Sequence, residues 1–244
     1  MTRTLAALML VMLACPSHAD SFTLPFKGFS VNVPVEGRQV ELKVSGTATA
    51  ADKGDALDVN ADLTVNLADL RKQIGDIVRA KVNRNDDCGD KLDAHTVDLI
   101  AAPPIAKLTA SAHYERWLCV LGAKTKIEQD GDVALELTPV VAGDTINVDV
   151  KLAEMHGNGV LEELLRDNIF GPWLVDQLRT LLPKSLTIAN LRDGLPPALR
   201  DVPATLEHPS IVDAGGGTPA IRCTLHITVP AEKVPALLQQ LQKQ

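Results

Sequence analysis

The sequence predicts an α+β protein in which a strongly curved antiparallel meander sheet wraps two or three amphipathic helices. Apolar and polar residues alternate in many segments of the 244-residue chain, which is typical of strands with one buried face that pair antiparallel. Apolar residues recur with helical spacing in only three segments. Few helices are available to cover the apolar faces of many strands. We therefore expect the sheet to curl over the helices or to leave an apolar groove.

An export signal is predicted at the N-terminus. Arg3 precedes an uncharged apolar stretch over 5–14, and Ser17-His18-Ala19 offers small residues to a signal peptidase. The apolar stretch is shorter than the roughly 20 residues of a membrane-spanning helix. We therefore expect a signal peptide over 1–19, a single domain over 20–244, and a periplasmic or secreted protein.

The residues before Cys15 allow a second interpretation of the N-terminus. Met12-Leu13-Ala14-Cys15 is similar to a bacterial lipoprotein box, in which the cysteine is acylated. Met12 and Pro16 both depart from that pattern. Anchoring through Cys15 is therefore the alternative, and cleavage to a chain without lipid is the favoured prediction.

Three cysteines follow the predicted cleavage point, and their surroundings indicate which two are bonded. Cys223 lies on the apolar side of an alternating segment, as a small buried apolar residue would. Cys88 lies in a polar loop, and Cys119 lies on the less apolar side of its strand. We predict a Cys88–Cys119 disulfide, which closes a loop of about 30 residues and contributes about 3 kcal/mol.

The alternating segments fix the expected strands in chain order. The clearest alternation covers 40–50, 57–67, 146–152 and 221–229, and weaker strands are expected at 29–35, 95–101, 106–120, 123–128 and 133–138. Short turns at 51–54 and at Asp130-Gly131 are expected to link neighbouring strands. Gly215-Gly216-Gly217 is predicted to be a turn between two strands, because it follows no strand-to-helix pattern.

Three helices are expected. The first carries an apolar stripe from Leu67 to Val82, with Asn66 as its N-cap. The second runs from about 160 to 182 and is interrupted at Gly171-Pro172. The third is short and carries an apolar stripe over 234–241.

Small residues are frequent at the inward positions of the predicted strands. Alanine there either lets a helix pack close to the sheet or leaves space for an acyl chain in an apolar cavity. Only 3% of the residues are aromatic, so the inner face is aliphatic and suits acyl chains better than planar rings. The candidate ligand-lining residues are Leu42, Val44, Ala48, Ala61, Leu63, Ala110, Ala112, Leu164 and Leu178.

The order of these elements resembles that of a known superfamily. A strand group, a helix, a second strand group and a proline-interrupted helix follow one another over roughly 39–183. This order resembles the tubular lipid-binding superfamily, which includes the bactericidal permeability-increasing proteins. The resemblance implies a bent sheet that wraps long helices and encloses a lipid-binding tube. It rests on element order without a specific motif, so it assigns no individual residue.

Composition and motifs argue against several function classes. The net charge is −7, and −8 after loss of Arg3 with the signal, and there is no basic run for nucleic-acid phosphates. The chain contains no Gly-x-Ser-x-Gly, His-Glu-x-x-His or phosphate-loop motif. We predict no enzymatic activity, cofactor or metal site. His113 and Glu115 are predicted to be a polar pair on the solvent side of a strand.

The favoured hypothesis is an exported, non-catalytic binding protein for a lipid or other apolar small molecule. Peripheral contact with a membrane surface is compatible with it, and the sequence indicates neither the ligand nor a protein partner. An anionic lipid headgroup would need a basic patch, for which Arg79, Lys81 and Arg84 are the candidates. The first alternative is an envelope interaction or structural protein with a fully packed core. The second is a hydrolase with a non-standard site around His113.

Overall fold

A computed structural model describes residues 21–35, 37–85, 88–120, 123–157, 186–235 and 237. Over these residues the chain is mainly antiparallel β-structure with few helices, and it is not closed into a barrel. The α+β class expected from the sequence is therefore too helical for this part of the chain. The predicted helical segment over 160–182, with the candidate lining residues Leu164 and Leu178, lies outside the described residues.

The first sheet, sheet A, brings together strands from both ends of the described chain. Its strands are β1 (Ser21–Leu24), β2 (Phe29–Val35), β3 (Arg38–Asp52), β4 (Ala56–Asn66), β11 (Ala204–Asp213) and β12 (Pro219–Pro230). The order is β1-β3-β4-β12-β11. β2 and β1 pair along the same edge of β3, β2 with residues 38–44 and β1 with residues 48–51. β4 pairs with β12 from Asn66 opposite Ala220 to Ala56 opposite Pro230.

The second sheet, sheet B, is an antiparallel meander of six strands. Its strands are β5 (Arg84–Asn85), β6 (Gly89–Ala102), β7 (Ile105–Val120), β8 (Ala123–Ala142), β9 (Thr145–Gly157) and β10 (Leu186–Thr187). Their order in space is β10-β9-β8-β7-β6-β5.

The turn predicted at Asp130-Gly131 is wrong, because both residues lie inside the 20-residue strand β8. Gly131 pairs with Ala112 of β7 and with Gly157 of β9. Glycine inside a strand marks a close approach of backbones or a local irregularity as often as it ends the strand. The two predicted strands at 123–128 and 133–138 are therefore parts of one strand.

The first predicted helix is confirmed as α1 (Ala68–Val82), and the N-cap position is Leu67 rather than Asn66. Asn66 still acts on the helix start, because its side-chain oxygen accepts a hydrogen bond from the Ala68 amide at 2.8 Å. The predicted stripe is buried at Leu70, Ile74, Ile77 and Val78. α1 contacts β3 and β12 of sheet A and β6 of sheet B, so its apolar face joins the two sheets.

The remaining helical elements of the described residues are short. α2 (Ile188–Leu191) is capped by Thr187, whose hydroxyl accepts a hydrogen bond from the Asn190 amide at 3.3 Å. Three single-turn 3-10 helices cover Arg192–Gly194, Pro197–Leu199 and Ala231–Lys233. Of the predicted C-terminal stripe, Leu237 is buried, and Leu238 and Leu241 lie outside the described residues. No helix in the described ranges is long and apolar enough to cross a membrane.

One aliphatic core runs through both sheets and α1, and no polar or charged residue of the described ranges is buried within it. The Ile211 amide of β11 donates to the Pro104 carbonyl between β6 and β7 at 3.0 Å, which links the sheets at one end. The predicted Cys88–Cys119 disulfide is confirmed, and Cys223 is a buried free thiol. A disulfide fits an oxidising extracellular compartment.

Candidate functional site

The candidate lining residues of sheet A lie in the packed interior. Leu42, Val44, Ala48, Ala61 and Leu63 are each at most 2% exposed and belong to one apolar cluster. Ala48 and Ala61 face each other across β3 and β4. The two alanines among these five buried residues pack closely between elements.

The apolar face of sheet B changes along its strands from large buried residues to small, partly exposed ones. Paired residues on four neighbouring strands share this face and form three successive rows, which are Leu99–Leu108–Leu135–Leu152, Val97–Ala110–Val133–Met155 and Ala94–Ala112–Gly131–Gly157. Leu108 and Leu135 are buried, whereas Leu152 is 38% exposed. Ala110 and Ala112, the two candidate lining residues on this sheet, are half-buried.

Two adjoining clefts lie on the opposite, polar face of sheet B, because most of their lining residues, such as Ser111, Asp132 and His156, pair with one another and alternate with the residues of these rows. The larger, of about 430 Å³, is lined by Ala112, Gly131 and Gly157 of the third row. The smaller, of about 280 Å³, is lined by Ala110 and Val133 of the second row. Ser111, Asp132 and His156 line both, so the two form one continuous depression, which we call the sheet B cleft. The larger volume lies within the roughly 300–1,000 Å³ of small-molecule pockets.

The rim of the sheet B cleft carries carboxylates and imidazoles. Asp130, Asp132 and Glu154 contribute the carboxylates, and His95 and His156 contribute the imidazoles. Among the described residues, neither lysine nor arginine lines the cleft. The rim therefore repels an anionic group and accepts a neutral or cationic one.

Arg79, the first residue of the basic patch expected for an anionic headgroup, is already bonded to other groups of the protein. Arg79 donates from Nη2 to Asp76 Oδ1 at 2.8 Å and from Nη1 to the His95 carbonyl at 3.1 Å. The side chains of Lys81 and Arg84 lie outside the described part of the structure.

A polar network adjoins the cleft on the same, polar face of β7 and β8. His113 Nδ1 is 2.7 Å from Asp130 Oδ1, and His113 Nε2 is 3.4 Å from Glu115 Oε1. Glu115 also accepts hydrogen bonds from Trp117 Nε1 and Lys126 Nζ, each at 2.9 Å. The prediction that His113 and Glu115 form a polar pair on one strand face is confirmed.

The network shifts the acidity of its members. Hydrogen bonds from Lys126 and then Trp117 lower the pKa of Glu115 to about 2. The hydrogen bond to Asp130 raises the pKa of His113 above its ordinary value, and partial burial opposes that rise. Glu115 is thus a carboxylate throughout the neutral range, and His113 is held toward its protonated form.

This arrangement is poorly suited to acid–base catalysis. Both ring nitrogens of His113 face carboxylates, so the ring activates no hydroxyl or thiol. A carboxylate with a pKa of about 2 is a weak base, and the pKa of an efficient general base lies near the working pH. The network therefore orders side chains and lacks a reactive pair.

The ligand atoms of His113, Glu115 and Glu128 lie within 4.8 Å of one another, which is close enough for the three residues to share a metal ion. Lys126 already contacts both carboxylates with its ammonium group. Glu128 and then Glu115 raise the pKa of Lys126, so it remains charged. The cluster is neutralised by its own lysine and carries no metal assignment.

Sequence reasoning identified Ala110 and Ala112 and missed Ser111, Asp132 and His156 as cleft residues. Gly131 and Gly157 lie in alternating segments where a strand rarely places glycine, and they were the available signal for this cleft. Comparison of the chain with protein families, curated proteins and solved structures finds no match.

Proposed function

We propose that this chain is an exported, non-catalytic binding protein for a lipid or other apolar ligand, and that the ligand lies on the partly exposed end of the apolar face of sheet B. The observation that carries the proposal is the change along the apolar face of sheet B. Its residues pass from buried leucines to half-buried Ala110 and Ala112 and then to glycine. At this end the apolar face stays partly exposed over Ala110, Ala112, Val133 and Met155.

The side chains on this face favour an apolar ligand. Ala110 and Val133 are a cross-strand pair and are both partly exposed. They offer aliphatic contacts, which suit an alkyl chain.

The resemblance to the tubular lipid-binding superfamily is part of this proposal. Long antiparallel strands and the amphipathic helix α1 are compatible with a strongly curved sheet wrapped on helices. The disulfide and the N-terminal signal support a periplasmic or secreted location, and lipid anchoring at Cys15 is the alternative. The His113–Glu115 network supports the absence of catalysis, and an activity profile that changes in His113→Ala would contradict it.

The test is native mass spectrometry of gently purified protein, followed by displacement of a fluorescent fatty acid. Ala112→Phe fills space on the apolar face and is expected to weaken binding of the probe by at least about tenfold, since it removes about 1.4 kcal/mol or more of contact. Ala80→Phe makes the same change on the exposed side of α1 and should bind as the parent does. Leu152→Asp, at a partly exposed position of the same face, tests the apolar surface with a charge instead of added volume.

A second candidate function is an envelope interaction protein without a small-molecule ligand. The burial of Leu42, Ala48 and Ala61 within the apolar core favours it, because none of the three side chains is exposed. Absence of co-purified lipid, together with no probe binding by the parent protein, would contradict the lipid proposal. A specific protein partner captured under those conditions would support this second function.

A further inference from the structure

His113 connects the sheet B cleft to the network beside it. Asp130, which accepts its shorter hydrogen bond, is also a lining residue of the larger cleft. The Asp130 side chain is 84% exposed, whereas that of Glu115 is 19% exposed and is held by Trp117 and Lys126. One imidazole thus joins a fixed carboxylate to an exposed one on the cleft rim.

The two contacts of His113 require two protons on the ring. Only the imidazolium carries N–H on both nitrogens, and neutral imidazole donates from one. After loss of one proton, a lone pair faces a carboxylate, which is repulsive. Neutral imidazole keeps only one of the two contacts, so the bridge between Glu115 and Asp130 is broken whichever nitrogen loses its proton.

Charged groups around His113 come from each described strand that packs against it. Asp93 of β6 is its register partner, and the His95 ring lies 6.3 Å away. Glu115 shares its strand, and Asp130 lies on β8. Behind Glu115, Lys126 and Glu128 form an ion pair. Carboxylates outnumber ammonium groups here, which favours the protonated ring.

We propose that His113 is a proton-controlled clamp on the rim of the sheet B cleft. The protonated ring bridges Asp130 to Glu115 and orders the rim, and the neutral ring breaks that bridge. The clamp is intact at low pH and is lost as the pH rises through the raised pKa of His113. Its effect on ligand exchange rests on the proposed function, whereas the clamp itself does not.

The clamp is tested by NMR on the ligand-free full chain between about pH 5 and 9, because histidine titrates within this range. The His113 ring should titrate above the ordinary value of about 6.5. Asp130→Asn should lower that midpoint, because it removes the largest cause of the shift. The amide hydrogen-exchange rate over 129–132, corrected for intrinsic base catalysis, should be higher above the midpoint than below it. We expect an increase of at least about fivefold, which is the lower end of ordinary coupling between sites.

His113→Gln keeps a hydrogen-bond donor but cannot titrate, so it should abolish this pH dependence. His156→Gln is the matched control, since His156 lines the same cleft with a 76% exposed side chain. It should leave the dependence intact. A His113 midpoint at or below about 6.5, or an unchanged exchange profile in His113→Gln, overturns the clamp.

Dissociation of the fluorescent fatty acid provides the second readout. It should accelerate above the His113 midpoint in the parent and in His156→Gln, and not in His113→Gln. If the NMR results hold and no fatty acid binds, the clamp stands and the proposed function fails. If fatty acid binds and dissociates with the same pH dependence in His113→Gln, the proposed function stands and the clamp fails.

Discussion

Arg71 of α1 donates from Nε to Asp98 Oδ1 of β6 across 3.2 Å. Its Nη1 also donates to the Gly216 carbonyl, in the turn between β11 and β12, across 3.0 Å. That turn is pinned again by the Ala101 amide of β6, which donates to the Gly217 carbonyl at 2.9 Å. One side chain therefore holds a helix, sheet B and the last hairpin of sheet A together.

Arg71→Met should lower the free energy of unfolding by about 1–2 kcal/mol, because charge-assisted hydrogen bonds on a partly buried side chain are lost while the aliphatic stem is kept. Urea unfolding measures the change. Lys72→Met, at the exposed neighbouring position, is the control and should shift stability by less than about 0.5 kcal/mol. Equal effects of the two substitutions would contradict the linking role of Arg71.

Two glycines should respond to alanine with opposite sign. A Cβ at Gly46 would meet the backbone carbonyl of Asp62 and come within 2.9 Å of Leu63 Cδ2. Gly46→Ala should therefore cost about 2–3 kcal/mol. Gly75 lies inside α1, and its added Cβ meets only the end of the Arg79 side chain at 3.1 Å. Gly75→Ala should stabilise by up to about 1 kcal/mol, and thermal unfolding compares the two variants.

Cys223 should be inert in the native protein. Burial raises its pKa to about 12, and the charge of Asp62 adds to the rise. The reactive thiolate is therefore scarce at neutral pH. A thiol reagent should label Cys223 only after denaturation, as mass spectrometry of digested protein can measure. Rapid labelling of Cys223 in folded protein would show that β12 opens locally.

Glu115 should contribute acid-sensitive stability. Its pKa in the folded chain is about 2, below its ordinary value of 4.5, because Lys126 and Trp117 donate to it. A carboxylate with a lowered pKa stabilises the fold when the pH is above its pKa in the unfolded chain. This contribution is lost as the pH falls from 4.5 toward 2. Glu115→Gln should lose less stability over this range than the parent does. Parallel pH profiles in calorimetry would show that the contribution is absent.

The alternation of apolar and polar residues located most strands, because a strand with one buried face shows this pattern in its own sequence. β2 and β12 were predicted closely, and β11 was missed. A register shift between Glu207 and Ser210 breaks the period of two in β11, and His208 there has a φ of 51°. β10 and α2 were also missed, because elements of two and four residues are too short to show a period.

The candidate site was predictable only in part. Alternation shows that Ala61 and Ala112 both point inward, but it cannot distinguish a packed position from the wall of a cleft. The third row of sheet B combines residues of four strands, Ala94, Ala112, Gly131 and Gly157. Its alignment depends on strand register, including a shift between Ala94 and Thr96. No single segment carries that information.

The pairing of β4 with β12 sets the order in which sheet A can form. β12 is the last strand of sheet A in the chain, so one edge of β4 stays without its partner until residues 219–230 have been synthesised. An unpaired edge is a template for association with other chains, and pairing between distant segments is slow. Nascent chains that lack their last strand should therefore depend on chaperones, while complete chains bury that edge themselves.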